Sequence, residues 1–143
     1  MCGRECISND YSLLIIKPEA KIARVDDVIM RDVRATGLVK CEIPQVRFSE
    51  KTASQFWSDL EGLYPWVSEY YKHMASGPCT AIVVDGMNSG VELKKVIRAK
   101  YQDVISKLQT ELGLDFQPDL IHGSDPGQMG KEIVIVCSSA TNL

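Results

Sequence analysis

The feature that most narrows what this chain can become is an interleaving. Short apolar runs alternate along it with stretches whose apolar residues recur at helical spacing. Residues 12–16 (SLLII) stop at Lys17-Pro18, and proline cannot donate to a ladder, so a buried strand ends there. From Ile22 to Ala35 the residues Ile22, Val25, Val28, Ile29 and Val33 mark one helix face, and Thr36-Gly37 closes it. Over residues 38–48, Val39, Cys41 and Ile43 alternate with Lys40 and Glu42, which predicts a half-buried strand; Pro44 forces an edge or a bulge. Ser49 is a good N-cap for a helix reaching Leu60, and a second short helix over 65–74 ends at Ser76-Gly77-Pro78. Residues 79–84 (CTAIVV) form the clearest strand, closed by Asp85-Gly86. A long amphipathic helix follows, with Leu93, Ile97, Tyr101, Val104, Leu108 and Leu112 along one stripe, and then a last extended run, Leu120-Ile121-His122. This order argues α+β or α/β, and a split β-α-β sheet covered by helices fits. The tail stays open. Residues 133–136 (IVIV) are β-branched throughout and favour a strand locally, whereas residues 127–132 can start a helix that runs through 133–137.

Length and charge then exclude several classes. At 143 residues the chain suits one domain, 1–143. A net charge of −3 gives no basic field for nucleic acid or an anionic membrane, so phosphate binding would rest on a few placed cations. No apolar run approaches the roughly 20 residues needed to cross a bilayer, and the polar start of the chain does not read as a signal peptide. The five cysteines, at 2, 6, 41, 79 and 137, show neither a CxxC pair nor metal-ligand spacing. Free thiols in a reducing compartment, and hence a cytoplasmic protein with no structural metal, are the expectation.

The two histidines read differently. His73 lies in a polar helical stretch (YYKHM) and is expected at the surface. His122 ends an apolar run and precedes the turn sequence Gly123-Ser124-Asp125, so its ring is held at a strand end and aimed into whatever cleft the turn leaves. Ser124 and Glu132 are near enough in sequence to bond that ring and fix its tautomer. An imidazole is largely unprotonated near neutral pH and can act as a nucleophile towards phosphorus.

The string Asp119-Leu120-Ile121-His122-Gly123-Ser124-Asp125 resembles the active-site signature of the nucleoside diphosphate kinases, Asn-x-x-His-Gly-Ser-Asp around a phosphorylated histidine. Two further segments are similar in the same order. Residues 13–20 (LLIIKPEA) look like the family's first strand and its Lys-Pro-Asp segment, and residues 74–86 like its Met-x-Ser-Gly-Pro segment and third strand. The resemblance implies an α+β fold: a ferredoxin-like four-stranded antiparallel sheet, β-α-β-β-α-β, covered by helices. It implies phosphoryl transfer from a nucleoside triphosphate to a nucleoside diphosphate through His122, with Mg²⁺ carried on the nucleotide phosphates. Carried over by position, Lys17 would meet phosphate and hydroxyl oxygens, Glu132 would orient His122, and Ser124 would help hold Glu132. Trp66 takes the place of the family's base-stacking phenylalanine, although helix packing is an equal use for it. Trp57 falls where the family has a tyrosine near the phosphates.

The departures are specific. The family's first pocket arginine falls at or beside Lys94 and its threonine at Arg98; one helical turn apart, these two can meet one phosphate, or else form a solvated basic face. Its second arginine has no counterpart, because the loop that carries it is replaced by the helical residues 101–112. Its asparagine has become Asp119, a carboxylate beside a triphosphate. The histidine-to-glutamate spacing is one residue short. In the family the replaced loop builds the trimer contacts of hexamers, so a monomer or homodimer is expected here. Two other functions compete with an active kinase: a non-catalytic module for nucleotide sensing or for a cytoskeletal or ciliary scaffold, and a histidine phosphatase or phosphocarrier acting on protein.

Overall fold

The computed structural model describes residues 6–140. Four strands, β1 (Tyr11–Ile16), β2 (Val39–Val46), β3 (Cys79–Asp85) and β4 (Ile121–Gly123), form one sheet in the order β2-β3-β1-β4. Every pairing in it is antiparallel. This is the split β-α-β arrangement. The helices are α1 (Pro18–Ile22), α2 (Asp26–Arg34), α3 (Glu50–Phe56), α4 (Val67–Met74), α5 (Ser89–Lys100), α6 (Gln102–Leu112) and α7 (Met129–Ser139).

The near-continuous apolar strands at the centre are explained by burial on both faces. Alternation sorts their side chains. Leu13, Ile15, Ala81 and Val83 pack with Ala53 and Phe56 of α3, Tyr70 and Met74 of α4, and Ile133 and Val136 of α7. Leu14, Ile16, Ile82 and Val84 pack with Ile29 and Val33 of α2, Ile97 of α5, and Ile105 and Leu108 of α6. Three layers result: helices, sheet, helices.

Several local expectations hold. Ser49 caps α3 through a reciprocal pair, its Oγ accepting from the Thr52 N–H at 3.0 Å while Thr52 Oγ1 accepts from the Ser49 N–H at 2.8 Å. Pro44 sits in the edge strand β2, where the register shifts between Ile43 and Val46. Two helices are each broken in two. The turn at Arg24 (φ 60°) divides 18–34 into α1 and α2, and Tyr101 divides 89–112 into α5 and α6. The tail is helical: Met129, Glu132, Ile133 and Val136 fall at helical spacing and all are buried, so packing overrides the β preference of Ile-Val-Ile-Val.

The free-thiol expectation fails at Cys6 and Cys41, which form a disulfide closing a separation of 35 residues. Nothing in the spacing signals this pair, because β2 and the segment before β1 meet only in three dimensions. Cys79 is free and buried, and burial pushes its thiol up to about 12. Replacing Cys6 and Cys41 together by serine is expected to cost about 2–4 kcal/mol, read as a drop in the urea midpoint. An unchanged midpoint would show that the pair is not closed in solution. Among the described residues no helix is long and apolar enough to cross a membrane.

Candidate functional site

Strand pairing aims the histidine. His122 stands opposite Ile15 on β1, so its side chain takes the face that Ile15 takes, towards α3, α4 and α7. Its ring meets Phe56 and Trp57 edge-on, with centroids 5.0 and 5.7 Å apart. Glu132, on the inward face of α7, brings Oε1 to 3.0 Å from His122 Nε2. The missing residue between them does not prevent this contact. The ring remains 15% exposed, enough to reach a ligand.

Ser124 has a different post from the one its position suggested. Its Oγ accepts from the Leu13 N–H at 2.8 Å, and its own N–H donates to the Leu13 carbonyl at 2.8 Å. The hydroxyl thus extends the β1–β4 ladder by one rung and fixes the end of the strand that carries His122. It does not hold Glu132.

Lys17 leaves β1 just before α1 and is 5% exposed. A buried ammonium needs partners. Its Nζ donates to the Tyr70 hydroxyl at 2.7 Å, lies 3.8 Å from Glu19 Oε2 and stands 4.8 Å from the Tyr70 ring centre. Burial works against its charge, but Tyr70, Glu19 and Asp119 outweigh burial and push its pKa above the usual lysine value. Glu19 is fully buried and held below the usual carboxylate range: burial opposes the charge, and Lys17 and then His73 overcome it. His73 is therefore no surface residue. Its Nε2 lies 3.3 Å from Glu19 Oε1 and its ring packs edge-on against Phe116.

The third element is α5. Gly123 faces it, and a Cβ there would run into the Gly90 carbonyl, so two glycines let the helix lie directly on β4. This close seat brings Lys94 and Arg98 to Asp119. Lys94 Nζ is 3.8 Å and Arg98 Nε 3.3 Å from Asp119 Oδ2. Burial depresses the Lys94 pKa, and Asp119 opposes that effect. The two basic residues do converge, but on a carboxylate of the protein itself.

These pieces enclose a cleft of about 520 Å³, within the ~300–1,000 Å³ of small-molecule sites. Lys17, Trp57, Trp66, Lys94, Arg98, Asp119 and His122 all line it. None of its lining residues comes from α6, so the segment that replaces the arginine loop packs on the other face of the sheet and does not plug the cleft. Trp66 stacks on Tyr64, with ring centres 4.5 Å apart and planes 15° from parallel, at the cleft wall. The sequence reading missed Tyr70, Glu19 and His73. One signal was available: Trp66, Tyr70 and His73 fall at i, i+4 and i+7, and all three rings touch Phe116.

Among known proteins, residues 10–141 match the family model for nucleoside diphosphate kinase. A nucleoside diphosphate kinase of Mycolicibacterium gilvum is 27% identical over 132 residues, covering 88% of this chain and 95% of the relative. One from Salinibacter ruber is 22% identical over 128 residues, covering 88% and 89%. Among solved structures, the Aquifex aeolicus nucleoside diphosphate kinase superposes with a TM-score of 0.69 at 23% identity, over 92% of this chain and 99% of that one. The Borrelia burgdorferi enzyme, a transition-state mimic with bound vanadate and ADP, gives 0.68 at 19% identity, over 93% and 90%.

Proposed function

The chain belongs to the nucleoside diphosphate kinase family, and from that membership and the geometry of its cleft we propose that it moves a phosphoryl group between nucleotides through His122. One observation carries this reading: Glu132 Oε1 lies 3.0 Å from His122 Nε2 while the ring lines a cleft shared with Lys17, Lys94 and Arg98. A carboxylate accepting from Nε2–H leaves the lone pair on Nδ1. That lone pair attacks the γ-phosphorus of a nucleoside triphosphate, forming the N–P bond as the bond to the β,γ-bridging oxygen breaks. The diphosphate departs with the electron pair. A second diphosphate then takes the phosphoryl group by the reverse step, restoring the imidazole.

Within this reading the other residues place charge. Lys17 is buried and charged before substrate arrives, so it stabilises phosphate oxygens with little reorganisation. The stacked Trp66 and Tyr64 offer a flat apolar surface for a base, and an indole accepts any base face, which supports broad base use. Mg²⁺ carried on the nucleotide would supply further charge neutralisation. Asp59 and Asp125, at the cleft wall, are oxygen donors of the kind it takes. Residues 1–143 are read as one domain working as a monomer or homodimer, because α6 replaces the loop that would build larger assemblies. A cytoplasmic place of action follows from the substrates; the Cys6–Cys41 disulfide removes the thiol argument offered for it.

The test is a pulse and chase. Purified protein incubated with γ-labelled ATP should acquire acid-labile, base-stable label on His122, and unlabelled GDP should then remove it as labelled GTP. Glu132→Gln should slow labelling about ten- to a hundredfold, because an amide holds the ring without offsetting the positive charge it gains as the N–P bond forms. Absence of label from wild-type protein that nevertheless binds ADP would leave a nucleotide-sensing module instead.

A further inference from the structure

Asp119 puts a negative charge between two of the cations that line the cleft. Its Oδ2 lies 3.8 Å from Lys94 Nζ and 3.3 Å from Arg98 Nε, and its carboxylate is held in place on the other side. Oδ1 accepts from the Leu120 N–H at 2.9 Å, and the Asp119 N–H points to Glu19 Oε2 at 3.4 Å. Arg98 Nε is buried yet has no well-aligned acceptor, so the pairing with Asp119 is electrostatic and leaves a guanidinium donor unsatisfied. The third cation of the cleft, Lys17, has Glu19 at 3.8 Å. Each cation lining the cleft therefore already faces a carboxylate of the chain.

We propose that Asp119 is a specificity-determining residue that stands in for a phosphate group, occupying Lys94 and Arg98 so that each phosphate a ligand adds must compete with it. A phosphate oxygen that reaches Arg98 comes close to Asp119 as well. The attraction to two cations is then offset by repulsion from one fixed anion, whose carboxylate is itself mostly buried. The cleft gains little from the number of phosphates and depends on base stacking and on Lys17. It discriminates weakly among nucleoside mono-, di- and triphosphates, and the terminal phosphates of a triphosphate are held loosely. This inference rests on the cleft being a nucleotide site, but not on the phosphohistidine step.

Trp57 and Trp66 both line the cleft, so their emission reports occupancy. Wild-type protein and Asp119→Asn are titrated with AMP, ADP and ATP. The wild type should show affinities within about threefold of one another, whereas Asp119→Asn should bind ADP and ATP about ten- to a hundredfold more tightly and AMP far less so. Adding Arg98→Met to Asp119→Asn should erase that gain. Asp119→Ser, which keeps an oxygen for the Leu120 N–H, should show the same phosphate dependence if the asparagine variant folds poorly. Equal gains for AMP, ADP and ATP, no gain in either variant, or a gain that survives Arg98→Met would each overturn the proposal. Steep phosphate dependence in a variant whose His122 takes no label would uphold it while removing the kinase reading. No binding of any nucleotide would remove both.

Discussion

Replacing His122 by alanine should reduce phosphoryl transfer by about five orders of magnitude or more, to the background of the assay. The proposed nucleophile has no deputy. Among the described residues lining the cleft, the remaining groups are cations, carboxylates, an amide, aromatic rings and apolar side chains, and none combines a free lone pair with a position over β4. Binding should survive the change, because Lys17, Lys94, Arg98 and Trp66 are untouched, so the dissociation constant for ADP should move by no more than about threefold (well under one hydrogen bond to a charged group). Stability should fall by about 1–3 kcal/mol, since the loss leaves the buried Glu132 without its 3.0 Å partner and uncovers the edges of Phe56 and Trp57. The measurement is a coupled nucleotide-exchange assay beside an ADP titration. Transfer above about a tenth of wild type, with binding intact, would remove His122 from the chemistry.

The second large effect is on stability. Lys17→Ala should destabilise the fold by about 3–5 kcal/mol, because it strands a buried carboxylate. Glu19 would keep His73 at 3.3 Å and the Asp119 N–H at 3.4 Å but no full positive charge beside it, and the Tyr70 hydroxyl would lose its 2.7 Å donor. Removing both charges together, as Lys17→Met with Glu19→Gln, should recover much of that loss, a pattern a merely misfitting side chain would not give. The pH dependence has a defined sign. Glu19 is held below its ordinary range, so its contribution is present above about pH 4.3 and is lost as pH falls through its lowered value. Lys17 is raised, so its contribution is present below about pH 10.4 and is lost only as pH climbs through the raised value. Melting temperatures followed into acid should therefore fall more steeply for the wild type than for the double variant. Parallel acid limbs would show that the pair carries no such linkage.

The sheet was largely legible because its strands obey local rules. The runs at 12–16 and 79–84 are short, apolar and ended by Lys-Pro and Asp-Gly, so both strands followed from the sequence, and Pro44 called for an edge or a bulge. Long helices were less legible: the helical stripe through Tyr101 is unbroken in sequence, yet the chain turns there and the Tyr101 hydroxyl donates to Asp32 from another helix. The tail could not be read locally, because only the buried positions Met129, Glu132, Ile133 and Val136 choose helix over strand. In the site, residues near His122 in sequence were easy to nominate. Glu132 reaches the ring, whereas Ser124 is spent on the backbone of β1. What escaped was the layer beneath Lys17. A lysine beside a proline gives no hint of a tyrosine 53 residues away, and His73 looked solvated because its neighbours Lys72 and Glu69 are polar. The Cys6–Cys41 pair escaped for the same reason, since two strands' worth of folding separates the thiols.

The facing glycines of β4 and α5 have a consequence for how this cleft can vary. Gly123 adjoins His122 and Gly90 lies one turn before Lys94, so the spacing between the imidazole and the cations is fixed by backbone resting on backbone. Lengthening or re-aiming a basic side chain on α5 can tune the charge offered to a ligand, but adding a single methyl group at position 123 would lift the whole helix and carry both cations away together. Variation in charge is open to this chain; variation in that distance is closed.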